Sequence, residues 1–174
     1  MNKYRTGILS VLKQMGAEIE ISNIERISNE YVGNIKVKYS KLKSINISGE
    51  IIPSLIDELP ILFIACSVAS GVSKISGIEE LRHKESDRIK AMENGLSAVG
   101  IKVSSTQDSI EITGGKIMGG KIDSYDDHRI AMSFAIAGLI SETSLTIMNT
   151  RNIATSFPNF ITLLKDLGSE VYEI

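Results

Sequence analysis

Tryptophan is absent from this 174-residue chain, aromatic residues make up 5% of it, and it has one cysteine, Cys66. The scarcity of rings argues against large stacking surfaces. A lone thiol excludes an intrachain disulfide framework and a multi-cysteine zinc site, and it fits a cytosolic compartment. Charge of neither sign dominates: a net charge of −2 gives no global attraction to nucleic acid, so any anion must be held by a local cluster. No apolar run approaches a membrane span, and Met1 to Gly7 lacks the apolar core of a signal peptide, so no membrane role is expected. What remains, 43% apolar and 23% charged, is ordinary for a globular protein of one sizeable core or two small ones.

The densest feature is the run Glu79 to Ile89, in which eight of eleven residues are ionisable. A helical pattern follows, with Ile89, Met92, Leu96 and Val99 on one face, and Ser86 and Asp87 are capping types at its start. Lys84 then lies just before the first turn and Arg88 within it. Cations there oppose the helix dipole, a cost of about 0.3–1 kcal/mol each, unless an anion sits between them. The alternative is a solvated face, with Glu85 and Arg88 as a weak surface pair. A second stretch, Tyr125-Asp126-Asp127-His128-Arg129, repeats the design at the head of another helix and favours the anion reading. Asp126 or Asp127 with His128 could instead start a metal site, but further ligands are not visible, and no metal is assigned.

The chain repeats itself. Helices near residues 6–16, 86–99 and 160–167 each end in a glycine followed by an extended segment, at Gly16, Gly100 and Gly168. Two other helices, Glu58 to about Ala69 and Ile130 to Ile140, lack a polar face and read as interior helices, each opening on an aspartate cap, Asp57 or Asp127. Short strands are expected at 17–21, 35–39, 45–47, 72–76, 101–103, 110–112 and 145–147. The unit is thus interior helix, strand, outer helix, strand, strand. The first outer helix has no interior helix before it, so the chain is expected to begin part-way through a repeat. Gly115 to Lys121 has the glycine and lysine spacing of a phosphate-binding loop, but Ile122 replaces the hydroxyl residue; it reads as a turn between strands. Asp57, at a helix start, is a candidate base only in company with Glu85. Cys66 reads as an inert core residue, and His83 carries no assignment.

With these residues in view, the chain resembles the enolpyruvylshikimate-phosphate synthase (3-phosphoshikimate 1-carboxyvinyltransferase) family. The resemblance rests on Arg5-Thr6-Gly7, Asp57-Glu58-Leu59-Pro60, the block from Glu80 through Lys84-Glu85-Ser86-Asp87-Arg88, Asp127-His128-Arg129-Ile130-Ala131-Met132 and Ala154-Thr155-Ser156-Phe157-Pro158. It implies an α/β (α+β) fold of repeated βαβαββ units whose parallel interior helices aim their N-termini at a cleft. Residues 1–174 would form a single, incomplete C-terminal domain, with the N-terminal domain absent.

The implied reaction, part of aromatic amino acid biosynthesis, moves the enolpyruvyl group of phosphoenolpyruvate to the 5-hydroxyl of shikimate 3-phosphate. By position, Arg88 and Arg129 resemble the phosphoenolpyruvate clamp, with Lys84 beside the substrates. Glu85 resembles the proton-transfer residue, Asp57 the carboxylate on the hydroxyl, and His128 lines the same rim. No cofactor is implied. Some members carry a lysine where Thr155 stands. The alternatives are the sister transferase acting on a UDP-amino sugar, and a non-catalytic half that binds anions weakly. Arg88 and Arg129 are expected to point into one solvent-open rim beside Asp57 and Glu85.

Overall fold

The first outer helix shows how the repeat is built. In the computed structural model, which describes residues 1, 2 and 4–172, helix α1 spans Gly7–Gln14. Val11 and Met15 are fully buried, and Ile8 and Leu12 pack beside them. The helix ends at Gly16, whose φ of +96° only glycine adopts freely; its N–H donates to the Lys13 carbonyl and that of Ala17 to Leu12. The same pair of bonds closes the other two outer helices, at Gly100 and Ile101 and at Gly168 and Ser169. The glycine spacing therefore marks the repeat in three dimensions as it does in sequence.

Strands β1 (Glu18–Ile27) and β2 (Glu30–Lys38) form an antiparallel ribbon. It is longer than the two alternating segments expected, and mostly exposed. Its turn, Ser28-Asn29, has positive φ at both residues, which suits the twist of a tight hairpin.

One unit is complete. Strand β3 (Asn46–Ile47), helix α2 (Leu59–Ser67), β4 (Val72–Ser76), helix α3 (Arg88–Ala98), β5 (Val103–Ser105) and β6 (Ser109–Thr113) follow in order. Their sheet runs β3-β4-β6-β5, with β3 parallel to β4 and the remaining pairs antiparallel. Ile75, Ile110 and Ile112 face the core, while the cross-strand partners Lys74 and Glu111 face water. A further unit begins with β7 (Gly120–Asp123), helix α4 (His128–Gly138) and β8 (Leu145–Met148), then a short helix α5 (Ile153–Ser156) and the outer helix α6 (Phe160–Asp166). Here β7 and β8 are parallel, as β3 and β4 are. Among the described residues this is the βαβαββ arrangement, present once in full and in part on either side.

The interior helices depart from expectation on one flank. Leu62, Phe63 and Cys66 of α2 are fully buried, but Ile61 and Ala65 line an open apolar groove with Ile8, Leu12, Ile136 and Ile140. α2 is apolar all round because it packs on several sides, yet in this chain one of those sides is uncovered. The outer helix α3 lies so close to α4 that a Cβ on Gly95 would overlap the Phe134 ring. No helix among the described residues is long and apolar enough to cross a membrane.

Candidate functional site

Three helix starts converge on one rim. At α3, Asp87 is the N-cap and its carboxylate accepts from the Lys90 N–H at 3.0 Å. Arg82 bonds that carboxylate at 2.7 Å and also the Thr106 and Gln107 carbonyls, tying the β5–β6 turn to the head of α3. Arg88 follows as the first helical residue.

At α4, Asp127 is the N-cap, accepting from the Arg129 N–H at 2.9 Å. Tyr125 and Asp126 before it have φ of +55° and +54°, a conformation costly for residues with a Cβ. That turn delivers Asp127 inward, where it has no exposed surface. Asp127 also accepts from Arg88 Nε at 2.8 Å and from the Ser86 hydroxyl at 3.0 Å. Burial alone would raise its pKa, but Arg88, the Arg129 N–H and Ser86 together hold it below the usual carboxylate range.

Asp57 does not cap α2. It lies in a 3-10 turn, Ile56–Glu58, and the cap position falls to Glu58, which makes no side-chain cap bond. The Asp57 carboxylate turns instead toward four cations: Arg5 at 3.0 Å, Arg88 and Arg129 at 3.7 Å, and Lys84 at 4.0 Å. Its carbonyl accepts from Arg129 Nη1 at 2.8 Å.

All six expected site residues are thus brought together. Glu85 pairs with Arg88, and its other oxygen lies 4.0 Å from His128 Nδ1. Lys84 pairs with Glu80, so both it and Arg88 are neutralised by the chain's own carboxylates. Arg88 also differs from expectation. It is 1% exposed, bridging Asp127, Glu85 and Asp57, whereas Arg129, His128 and Lys84 are half-buried and Glu85 is exposed. The two guanidinium groups share one rim, but the one on α3 lies beneath it.

Two participants carried no role in the sequence reading. Arg5 reaches both Asp57 and Glu58 through one nitrogen, and these carboxylates raise its pKa, Glu58 first. Its signal was the Arg5-Thr6-Gly7 segment, which had a family match and no assigned chemistry. Glu58 Oε2 is buried with no hydrogen-bond partner among the described residues. Thr155, on α5, donates its hydroxyl to the carbonyl of Asn152, the residue before that helix, and supplies no cation. Among the described residues no group of three His, Cys, Asp or Glu side chains is placed to hold a metal ion.

Chemically, this rim can exchange one set of anions for another. Arg5, Lys84, Arg88 and Arg129 each lie within ion-pair distance of the chain's own carboxylates. An incoming phosphate or carboxylate must displace them, and those at the surface, Asp57 and Glu85, are also acids and bases.

Comparison with known proteins gives the family. Residues 1–164 match the family described as EPSP synthase (3-phosphoshikimate 1-carboxyvinyltransferase). A 3-phosphoshikimate 1-carboxyvinyltransferase of Legionella pneumophila (strain Paris) is 45% identical over 173 residues, 99% of this chain and 40% of that protein. One from Carboxydothermus hydrogenoformans is 48% identical over 168 residues, 96% of this chain and 39% of that protein. The chain therefore spans about 40% of the length of the relatives it matches. Among solved structures, EPSP synthase of Acinetobacter baumannii superposes with a TM-score of 0.92 at 43% identity, covering 95% of this chain and 39% of that one. The enolpyruvyl transferase NikO of Streptomyces tendae shares the fold, with a TM-score of 0.70 at 15% identity over 95% of this chain and 36% of that one. The cap-and-cation rim, the βαβαββ unit and these matches together show that the chain belongs to the EPSP synthase (3-phosphoshikimate 1-carboxyvinyltransferase) family.

Proposed function

We propose that this chain supplies the phosphoenolpyruvate side of an enolpyruvyl transfer to the 5-hydroxyl of shikimate 3-phosphate, in the cytoplasm, as part of a protein completed by an N-terminal domain. The observation that carries the reading is Asp57 amid Arg5, Lys84, Arg88 and Arg129, with Glu85 between Arg88 and His128 on the same rim.

In this reading Arg129 binds the phosphate or carboxylate of phosphoenolpyruvate directly. Arg88, buried and held by Asp127, presents its remaining N–H groups from below, and Lys84 lies between the two substrates. Asp57 takes the proton of the acceptor hydroxyl as its oxygen bonds to the vinyl carbon, while Glu85 delivers a proton to the methylene, making a methyl group. The tetrahedral adduct then returns a methyl proton to Glu85 and expels phosphate, which leaves with the proton held by Asp57, restoring the double bond on the acceptor. Two carboxylates with different neighbours suit a reaction that needs an acid and a base at once.

The test is phosphate release from phosphoenolpyruvate and shikimate 3-phosphate by this chain combined with the N-terminal portion of a relative. Turnover that needs both substrates and is lost in Asp57→Asn and Glu85→Gln supports the reading. Full turnover in either variant overturns the assignment of that residue, and turnover with a UDP-amino sugar acceptor overturns the substrate.

A further inference from the structure

The Arg88–Asp127 clasp has a second copy in the chain. Arg88 opens an outer helix, and Asp127 opens the interior helix of the following unit. Arg5 stands just before α1, the preceding outer helix, and Asp57 lies in the turn that leads into α2, the interior helix after it. Their separation is 3.0 Å against 2.8 Å in the first copy. The same joint, outer-helix arginine to next-unit aspartate, therefore occurs twice, as the repeat requires.

The copies differ in burial. Arg88 and Asp127 are 1% and 0% exposed, and Asp127 spends its oxygens on Arg88, Ser86 and the Arg129 N–H. Arg5 and Asp57 are 49% and 21% exposed, and Arg5 is the nearest of the four cations around Asp57. The open copy leaves a carboxylate within reach of a ligand.

We propose that Arg5 is a positioning residue for Asp57: it draws this carboxylate to one side of the rim and keeps it from collapsing onto Arg88, Arg129 and Lys84, the cations an incoming anion needs. The proposal rests on the reading of Asp57 as the residue that acts on the acceptor hydroxyl. Local packing explains how a residue before a helix is placed so well. Gly7 lies so close to Ser54 that a Cβ would overlap the hydroxyl, which seats the head of α1 on the 3-10 turn Gly49–Ser54, just ahead of Asp57. From there Arg5 spans Asp57 and Glu58 with the same nitrogen, Nη2. A point charge can do most of what that nitrogen does, so lysine should substitute.

Two measurements test this. In the 174-residue chain labelled with carbon-13 at aspartate carboxyls, the Asp57 signal is identified by its loss in Asp57→Asn. Arg5→Ala should move that signal and Arg5→Lys should return it toward its original place; an Asp57 signal unchanged by Arg5→Ala overturns the proposal. In the completed protein, Arg5→Ala should lower kcat about tenfold, within the range that misplacing a reacting group costs, with melting temperature unchanged and with most of the rate recovered in Arg5→Lys. A normal kcat in Arg5→Ala, or no recovery with lysine, also overturns it. Absence of turnover in the unsubstituted protein speaks against the proposed reaction alone, because the carboxyl signal still decides whether Arg5 places Asp57.

Discussion

Arg88 Nε donates to Asp127 Oδ2 at 2.8 Å between two side chains that are almost wholly sealed from water, joining the heads of α3 and α4. A buried pair of this kind adds little net stability over an apolar one, since desolvation offsets the attraction. Removing one partner is another matter, because the other is left charged and buried. Asp127→Ala should therefore destabilise the chain by about 3–5 kcal/mol, the range for breaking a buried pair. Loss of the α4 cap adds to this in the same direction. Urea denaturation of the two proteins measures the difference, and a loss below about 1 kcal/mol would show the pair to be solvated.

The same carboxylate sets an acid limit. Its folded pKa is lowered, so its contribution to stability is present above its unfolded value of about 3.9 and is lost as pH falls through the lower folded value. Glu93 is shifted in the same direction: burial opposes the shift, but Lys90 and the bond from Ser105 outweigh it. Stability should be level near neutrality with respect to both groups and fall steeply below about pH 4. Urea midpoints from neutral pH downward would check this. In Asp127→Asn the acid fall should be shallower, and an identical fall would assign it to other groups.

Cys66 is buried in α2, and burial pushes its thiol up to about 11. At pH 8 it should react with a disulfide reagent only as fast as the chain unfolds. Fast modification of folded protein, with loss of phosphoenolpyruvate binding, would reopen the possibility of a working cysteine.

Much of this arrangement was legible because it is locally encoded. Asp87 caps α3 and Asp127 caps α4 as their positions before apolar runs suggest, and Gly16, Gly100 and Gly168 end the outer helices. The ribbon was not legible in full. Alternation fails at the irregularity between Ser22 and Glu25, where Asn23 has positive φ, so a continuous β1 read as a short strand and a loop. The short strand β7 was hidden by the glycines at its head, which suggested only a turn. At the site, residue types were readable but pairings were not. Asp57 looks like a cap in sequence, and only the fold reveals that Glu58 takes that place while Asp57 turns to Arg5. Nothing local says that Arg88 is buried, since its partner Asp127 belongs to another unit.

In the completed protein, Arg129 and Glu85 should fail differently. Arg129 reaches the rim half-buried; it donates to the Asp57 carbonyl at 2.8 Å, and its ion pairs with the Asp57 and Glu58 carboxylates are longer, 3.7 and 3.9 Å, so an anion has only these long pairs to part. Arg129→Ala should weaken phosphoenolpyruvate binding by about 1.5–3 kcal/mol, the range of a charge-assisted hydrogen bond. If Glu85 carries the proton as proposed, Glu85→Gln should lower kcat while leaving that affinity largely intact. Steady-state kinetics with calorimetric binding separate the two, and the same pattern in both variants would contradict the division of roles.

Alone, this chain should release no phosphate from phosphoenolpyruvate and shikimate 3-phosphate. Each cation of the rim lies against a carboxylate of the same chain, Arg5 and Arg129 with Asp57, Lys84 with Glu80, Arg88 with Asp127 and Glu85. An anion arriving at this surface must part those pairs in the presence of water, which screens whatever attraction it gains. Catalysis of an addition between two anionic substrates needs both held at reacting distance with water expelled, and a rim open on one side does neither. Affinity for phosphoenolpyruvate should be weak and fall further with salt. The apolar groove between α1, α2 and α4 is also uncovered in the isolated chain, so oligomers should grow with concentration in sedimentation experiments. Phosphate release by the purified chain that scales with its concentration and disappears in Glu85→Ala would show that one side of the cleft suffices.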